Sequence, residues 1–444
     1  MRRDVLLPAI AGAAIVVSSL AYGRCAAAFG GTWPTIAAYV VLTLAGLAGT
    51  RLAWARDDAP LVAIVLVTAV AARLALVPLP PLHSLDAYRY LWDGAALRFG
   101  HDPYVLRPDD FALVDLRIAY PWLYAHVDWT AVPTLYPPFD LALFRIAAAF
   151  GLASLRATKL IMLAGDLLAL AAVYAGLRRA TLPRGRVALY GWSALAITEF
   201  GLEGHEEGWA IAGIVVALVA ASAGRSAIAG VALAEAVLTK LYPLALVPAL
   251  FWRRRDLAAV GIVALAVALA YLPFALRDSD VFGFLRTFAL GYAYNDSLHL
   301  FFGNAGSAVA LGGIVATAFL ARRRGAAAVP VALGVVTAYL LLSANVYPWY
   351  LTILLALLPV VAGRGAFAGP LGPLGWGLVG WTVLSPLAYV DTFVYAQDSL
   401  GDRIAHAVEY LPLALATLAY AARPRTTLVA LRASFFPAKE TTRG

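Results

Sequence analysis

The sequence predicts an all-α polytopic membrane protein. Hydrophobic residues make up 62% of its 444 residues and charged ones only 14%, with a mean hydropathy of +0.79. Soluble chains run nearer half apolar and a quarter charged. The apolar runs recur along the whole chain, enough for roughly a dozen crossings at about 20 residues each. They also far exceed the ten or so residues of a membrane barrel strand, which makes the spans helices. The single cysteine, Cys25, excludes an internal disulfide and a thiolate metal cluster. The net charge of +8 has no solvated domain on which to cluster, so nucleic acid is not an expected partner and the lipid bilayer is.

In chain order, crossings are expected near 5–22, 33–50, 59–80, 157–177, 186–200, 208–224, 226–239, 241–252, 257–275, 298–320, 326–343, 348–363, 370–388 and 404–422, about 13–14 spans in one integral domain, 1–444. The first follows Met1-Arg2-Arg3-Asp4 and has the look of a signal peptide. Because apolar segments continue throughout, it reads as a spanning helix. The loop 81–133 is too short for a separate soluble domain. Tyr88, Leu91 and Leu97 alternate there with Asp86, Arg89, Asp93 and Arg98, which suggests amphipathic helices on the membrane surface. Segment 134–150 carries Asp140 and Arg145 and reads as interfacial or re-entrant, since a full crossing would invert everything downstream. The apolar block 226–252 resolves into two short helices around Thr239-Lys240-Leu241-Tyr242-Pro243, with Pro243 as the breaker.

Arginines set the orientation. Arg2/Arg3, Arg51/Arg56, Arg178/Arg179, Arg225, Arg253–Arg255, Arg322–Arg324, Arg364 and Arg423/Arg425 fall on one side, which becomes cytoplasmic, with both termini. The acidic and histidine clusters, among them Asp391, Asp398 and Asp402, then face outward. Acidic residues contribute little to topology, so this gathering points to function. Asp166, Glu235 and Asp140 are ionisable candidates within the membrane.

His83-Ser84-Leu85-Asp86 follows the helix-ending Pro78-Leu79-Pro80-Pro81. A carboxylate at a membrane exit can act as a general base or, with a neighbour, ligate a divalent metal; Asp86 can equally cap a helix. Asp93 lies on the same helix face, about 10 Å further along. Gly204-His205-Glu206-Glu207-Gly208 holds three ionisable groups without a zinc spacing, and a solvated turn is the competing reading. Lys240 is one of only three lysines, with Lys159 and Lys439. In a helix break among apolar residues it calls for a phosphate or a structural carboxylate partner. Tyr136-Pro137-Pro138 and Tyr347-Pro348-Trp349-Tyr350 bring aromatic faces suited to a sugar ring or an isoprenoid groove. Trp376 and Trp381 read as interface anchors.

These elements, taken in order with Gly100-His101-Asp102-Pro103-Tyr104 and Asn295-Asp296-Ser297-Leu298, resemble the GT-C class of polyprenyl-phosphate-sugar-dependent membrane glycosyltransferases. The likeness is nearest to the mannosyltransferase-like glycosyltransferase family 87. It implies a GT-C-like helix bundle in the cell (inner or plasma) membrane, with its active site on the extracytoplasmic side. It also implies transfer of a hexose, mannose favoured, from a polyprenyl-phosphate donor to a glycan or lipid acceptor. Asp86 would then be the general base, and a single displacement would invert the anomeric carbon. Lys240 and Arg89 would hold the donor phosphate. Asp93, Tyr136, His205, Glu206, Asn295, Tyr347 and Trp349 would line the substrates. Ser84 stands where relatives carry a first acidic residue, and Glu206 where many carry Asp or Asn. The residues fix no cofactor, and a divalent metal with Asp86 as a ligand stays open. The alternatives are a lipid-linked glycan flippase or another polytopic transporter, with internal repeats and charges at the midplane, and a non-enzymatic membrane scaffold.

Overall fold

The computed structural model describes residues 3–361, 371–389 and 400–422. Arg2, Arg364, Asp391, Asp398, Arg423, Arg425 and Lys439 lie outside them, as do the side chains of Arg3 and Asp402. Helix follows helix along the described chain, and the only β pairing among those residues is an isolated bridge between Tyr294 and Asn345.

Helices α1 (Arg3–Phe29) and α2 (Trp33–Ala53) pack together, with α3 (Ala59–Leu76) against α1. Asp58 starts α3 by accepting the Leu61 amide at 3.2 Å, and the proline run from Pro78 ends it. The loop that follows folds into α4 (Asp86–Arg98), α5 (Val114–Ala119) and α6 (Pro121–Tyr124). Next comes α7 (Pro138–Phe150), which lies on α4. Gly94 permits that approach, because a Cβ there would stand 2.1 Å from the Phe144 carbonyl oxygen. The thirteen residues of α7 reach about 20 Å, short of the ~30 Å hydrocarbon core.

The long α8 (Arg156–Arg179) is followed by α9 (Ala188–Gly191), α10 (Ala194–Thr198) and a π-helical turn, Glu199–Glu203. Here the structure corrects the single crossing expected over 186–200. The helix breaks at Gly191-Trp192-Ser193, and Arg73 of α3 satisfies the carbonyls this frees. Its guanidinium donates to Gly191 O at 2.8 Å and Tyr190 O at 3.4 Å. It also pairs with Asp166 of α8 at 2.5 Å, and the Tyr190 hydroxyl donates to Asp166 at 2.8 Å. Broken backbone inside an apolar bundle persists only with such partners. Asp166, a midplane candidate in the sequence, is therefore half of a structural ion pair.

Helix α11 (Glu207–Ser222) is apolar on all sides and sits in the centre of the bundle, packed on α8 and on α12 (Ser226–Thr239). The expected helix 241–252 is instead a 3-10 turn, Tyr242–Leu246, and one helical turn, α13 (Val247–Leu250). Pro243 and Pro248 deny that segment its amide donors. Then follow α14 (Leu257–Ala275), the short α15 (Gly283–Gly291), α16 (His299–Arg323), α17 (Ala328–Leu342) and a 3-10 turn, Pro348–Leu351, leading into α18 (Thr352–Val361). Helices α19 (Gly372–Leu384) and α20 (Leu400–Ala421) pack on each other.

Among the described residues, seven helices are long and apolar enough to cross a membrane, and four further apolar helices have 10–17 residues. Of the fourteen expected crossings, 186–200 and 241–252 are broken, and each of the other twelve coincides with a described helix. The turns gather at two opposite ends of the bundle. At one end Arg184 meets Asp57 at 2.6 Å, Arg179 meets Ser222 at 2.8 Å and Arg322 meets the Ala249 carbonyl at 2.8 Å. At the other lie the loop helices and nearly all the acidic residues. The structure thus makes the protein an all-α, multi-pass membrane protein with one arginine-rich end and one acidic end.

Candidate active site

The acidic end of the bundle is built on short helices. Helix α11 has 16 residues and α12 has 14, so they reach about 24 and 21 Å. Both stop short of the ~30 Å hydrocarbon core. The chain leaves regular helix at that depth only where it lines a cavity.

Asp86 opens α4. The helix N-cap is Leu85, with no side-chain capping bond, which corrects the capping reading of Asp86. Ser84 Oγ accepts the Asp86 amide at 3.1 Å instead. The loop before α4 is held by Glu203, whose Oε2 accepts the amides of Leu82, His83 and Ser84 at 3.1, 3.1 and 3.2 Å. With the backbone fixed and the positive end of α4 behind it, the Asp86 side chain projects into a cavity of about 400 Å³, 29% exposed. Burial pushes its pKa above the ordinary aspartate value, and Glu206 and Asp128 add to the shift, while His205 and Lys240 oppose it.

The five-residue stretch Gly204–Gly208 is not a solvated turn. Gly204 adopts a left-handed conformation, φ +79°, which reverses the chain directly against Lys159, where any side chain would be strained. His205 is then 0% and Glu206 1% exposed. Nδ1 of His205 lies 3.0 Å from Glu199 Oε2, and its ring stacks on Trp349 at 3.8 Å between centroids. Its Nε2 has no hydrogen-bond partner and stands 3.8 Å from Asp86 Oδ2. Burial lowers the His205 pKa despite the carboxylates of Asp86, Glu206 and Glu203. The Tyr90 hydroxyl donates to Glu206.

Lys240 caps the end of α12 and lines the same cavity as Asp86. Its ammonium is 2.6 Å from Glu206 Oε1 and 2.9 Å from Glu207 Oε1, so the structural carboxylate partner weighed in the sequence is present twice over. Burial opposes the charge, but Glu206 and Glu207 more than offset it and raise the pKa well above lysine's ordinary value. Tyr136 and Tyr350 present their rings to the ammonium at 5.9 and 5.1 Å. Arg89 also lines the cavity but arrives bonded, to Asp93 at 2.9 Å, Trp129 O at 2.9 Å and Val132 O at 3.0 Å.

The structure therefore brings Asp86, Arg89, Tyr136, Lys240, Tyr347 and Trp349 to one cavity wall. It places Asp93, His205 and Glu206 behind that wall, buried and not among the lining residues. Asn295 is further off. Its amide donates to Glu409 at 2.9 and 3.0 Å, and Trp381, expected at an interface, is 0% exposed and donates to the same carboxylate at 3.1 Å. Tyr350, the last residue of the aromatic-proline motif, lines the cavity as expected of that motif, while sequence reasoning passed over Asp128, Tyr294 and Tyr389 as lining residues. Tyr294 adjoins a motif already singled out, whereas Tyr389 had no local signal. At Leu135, Tyr136, Lys240, Phe288 and Tyr350 the cavity meets a second, mostly apolar one of about 620 Å³ between α15, α16 and α17. A cavity at the arginine-rich end, beside Arg179 and Ser222, shares no lining residue with either. Among the described residues no three His, Cys, Asp or Glu converge where they could together hold a metal ion.

Neither a curated protein nor a solved structure matches the chain. A family model does: alpha-(1->6)-mannopyranosyltransferase, N-terminal domain, over residues 5–256. That range contains Asp86, the buried His205 turn and Lys240, and it agrees with the mannose that the sequence resemblance favoured. With more than half of its 444 residues matched, the chain belongs to the alpha-(1->6)-mannopyranosyltransferase family and is a membrane mannosyltransferase.

Proposed function

We propose that the protein transfers mannose from a polyprenyl-phosphate donor to a glycan or lipid acceptor at the extracytoplasmic face of the plasma membrane, as a GT-C enzyme with cytoplasmic termini. The observation that carries this reading is the junction at Lys240, where a polar cavity holding Asp86 opens into a larger apolar one. A substrate with a charged middle and a long apolar tail suits such a junction. The isoprenoid lies between α15, α16 and α17, the phosphate meets Lys240 and the sugar reaches Asp86.

Asp86 takes the proton of the acceptor hydroxyl as that oxygen attacks the anomeric carbon. The bond from that carbon to the phosphate breaks, and its electron pair leaves on phosphate oxygen. A single displacement inverts the centre. The raised pKa of Asp86 makes it a stronger base than a solvated aspartate. Glu206 and Glu207 leave the Lys240 ammonium a third N–H for the departing phosphate. Arg89, tied to two carbonyls and to Asp93, shapes that wall and adds positive charge beside the phosphate. Tyr136, Tyr347 and Trp349 give apolar faces to the sugar ring.

The test uses the purified protein in vesicles with radiolabelled polyprenyl-phosphate mannose. Asp86→Asn should lower transfer by about 10²–10⁴-fold while donor binding persists. Near-normal transfer by this variant would remove the base assignment.

A further inference from the structure

We propose that His205 is the second proton acceptor of the site, acting through Asp86; this rests on the reading of Asp86 as the base. The inference starts from an unpaid polar atom. His205 is 0% exposed and its Nε2 has no hydrogen-bond partner, an arrangement that ordinarily costs stability. Its other nitrogen bears on the tautomer. Nδ1 lies 3.0 Å from Glu199, a side chain that also pairs with the Tyr389 hydroxyl at 3.0 Å. In the relay Glu199 is ionised, so that Nδ1 carries the hydrogen and Nε2 presents a lone pair.

That lone pair faces Asp86 Oδ2 at 3.8 Å. Two acceptors face each other while Asp86 is ionised, and neither gains from closer approach. Once Asp86 has taken the acceptor's proton, its new O–H is a donor aimed at Nε2. The contact thus becomes favourable only along the reaction, the condition for an interaction that raises the rate rather than the affinity. The proton passes from Asp86 Oδ2 to His205 Nε2, the Asp86 carboxylate is restored, and the imidazolium keeps its Nδ1–H on Glu199. After the product leaves, the proton returns through Asp86 to the cavity. Trp349, stacked on the imidazole at 3.8 Å, gives the transient cation an aromatic face. The other charged groups around the ring are Glu203 of the π turn, Glu206 beside it and Lys240 beyond. His83, which stacks on Tyr389, is neutral there, its pKa pushed down to about 3 by burial and by His205.

Single-turnover transfer at saturating donor reads the relay. His205→Gln should slow the step about 10²-fold and leave the donor KM within about twofold. Glu199→Gln keeps an acceptor for Nδ1–H and for Tyr389 but cannot balance an imidazolium, so it should slow the same step at an unchanged donor KM in a folded protein even if His205→Gln fails to fold. A wild-type rate in Glu199→Gln, or a His205→Gln rate within about threefold of wild type, overturns the proposal. An active Asp86→Asn overturns instead the reading beneath it.

Discussion

At the scale of single residues, the site is a set of charges whose partners were invisible one by one. Glu203 shows this best. Nothing in its local sequence distinguishes it from Glu199 or Glu207, yet its carboxylate gathers three successive amides from residues 120 positions away and so fixes where α4 begins. Charge-assisted bonds to backbone amides are about twice as strong as neutral ones. Glu203→Gln should therefore cost about 1–3 kcal/mol of stability and lower kcat more than it raises KM, because Asp86 loses its fixed platform. Thermal unfolding in detergent beside transfer assays checks both halves. The pH dependence follows from Asp86. Since burial raises its pKa and the ionised form is the active one, activity should be lost on acidification at a pH above the ordinary aspartate value of about 3.9. A pH–rate profile measures this.

Among elements, the decisive features are interruptions. The break between α9 and α10 is tied off by Arg73 and Asp166, and the break after α12 delivers Lys240 to the cavity. Close helix packing depends in turn on small residues. Gly94 is the clearest case. With the Phe144 carbonyl 2.1 Å from where its Cβ would stand, Gly94→Ala must force α4 off α7 and tilt the helix whose first residue is Asp86. An overpacking loss of about 1–3 kcal/mol is expected, with a fall in transfer that donor concentration does not restore. Unfolding midpoints and kcat at saturating donor test it. The clash is with backbone, which has no side-chain rotamer to yield.

The whole molecule is organised by its two ends. Arginine-bearing turns meet one another at one end, and the cavity with Asp86 and Lys240 occupies the other. If arginines stay cytoplasmic, the cavity opens outside the cell. The single Cys25 makes this straightforward to check. In a Cys25→Ser background, Asp128→Cys should react with an impermeant thiol reagent in intact cells, and Arg324→Cys only after permeabilisation. The reverse pattern would place the reaction in the cytoplasm.

Class was legible in the sequence because it follows from local composition: an apolar run needs lipid whatever its neighbours. The breaks at Pro243 and the start of α4 after Pro81 were legible for the same reason. Partner choice was not. That Lys240 would find Glu206 and Glu207, that His205 would lie behind Asp86, and that Asn295 would bind Glu409 depend on residues apart in the chain. A charge near the membrane must be paired or solvated, and the sequence states that requirement. Only helix packing decides which partner meets it, because pairing acts over a few ångströms while the chain separations run from 33 residues between Glu207 and Lys240 to 119 between Asp86 and His205.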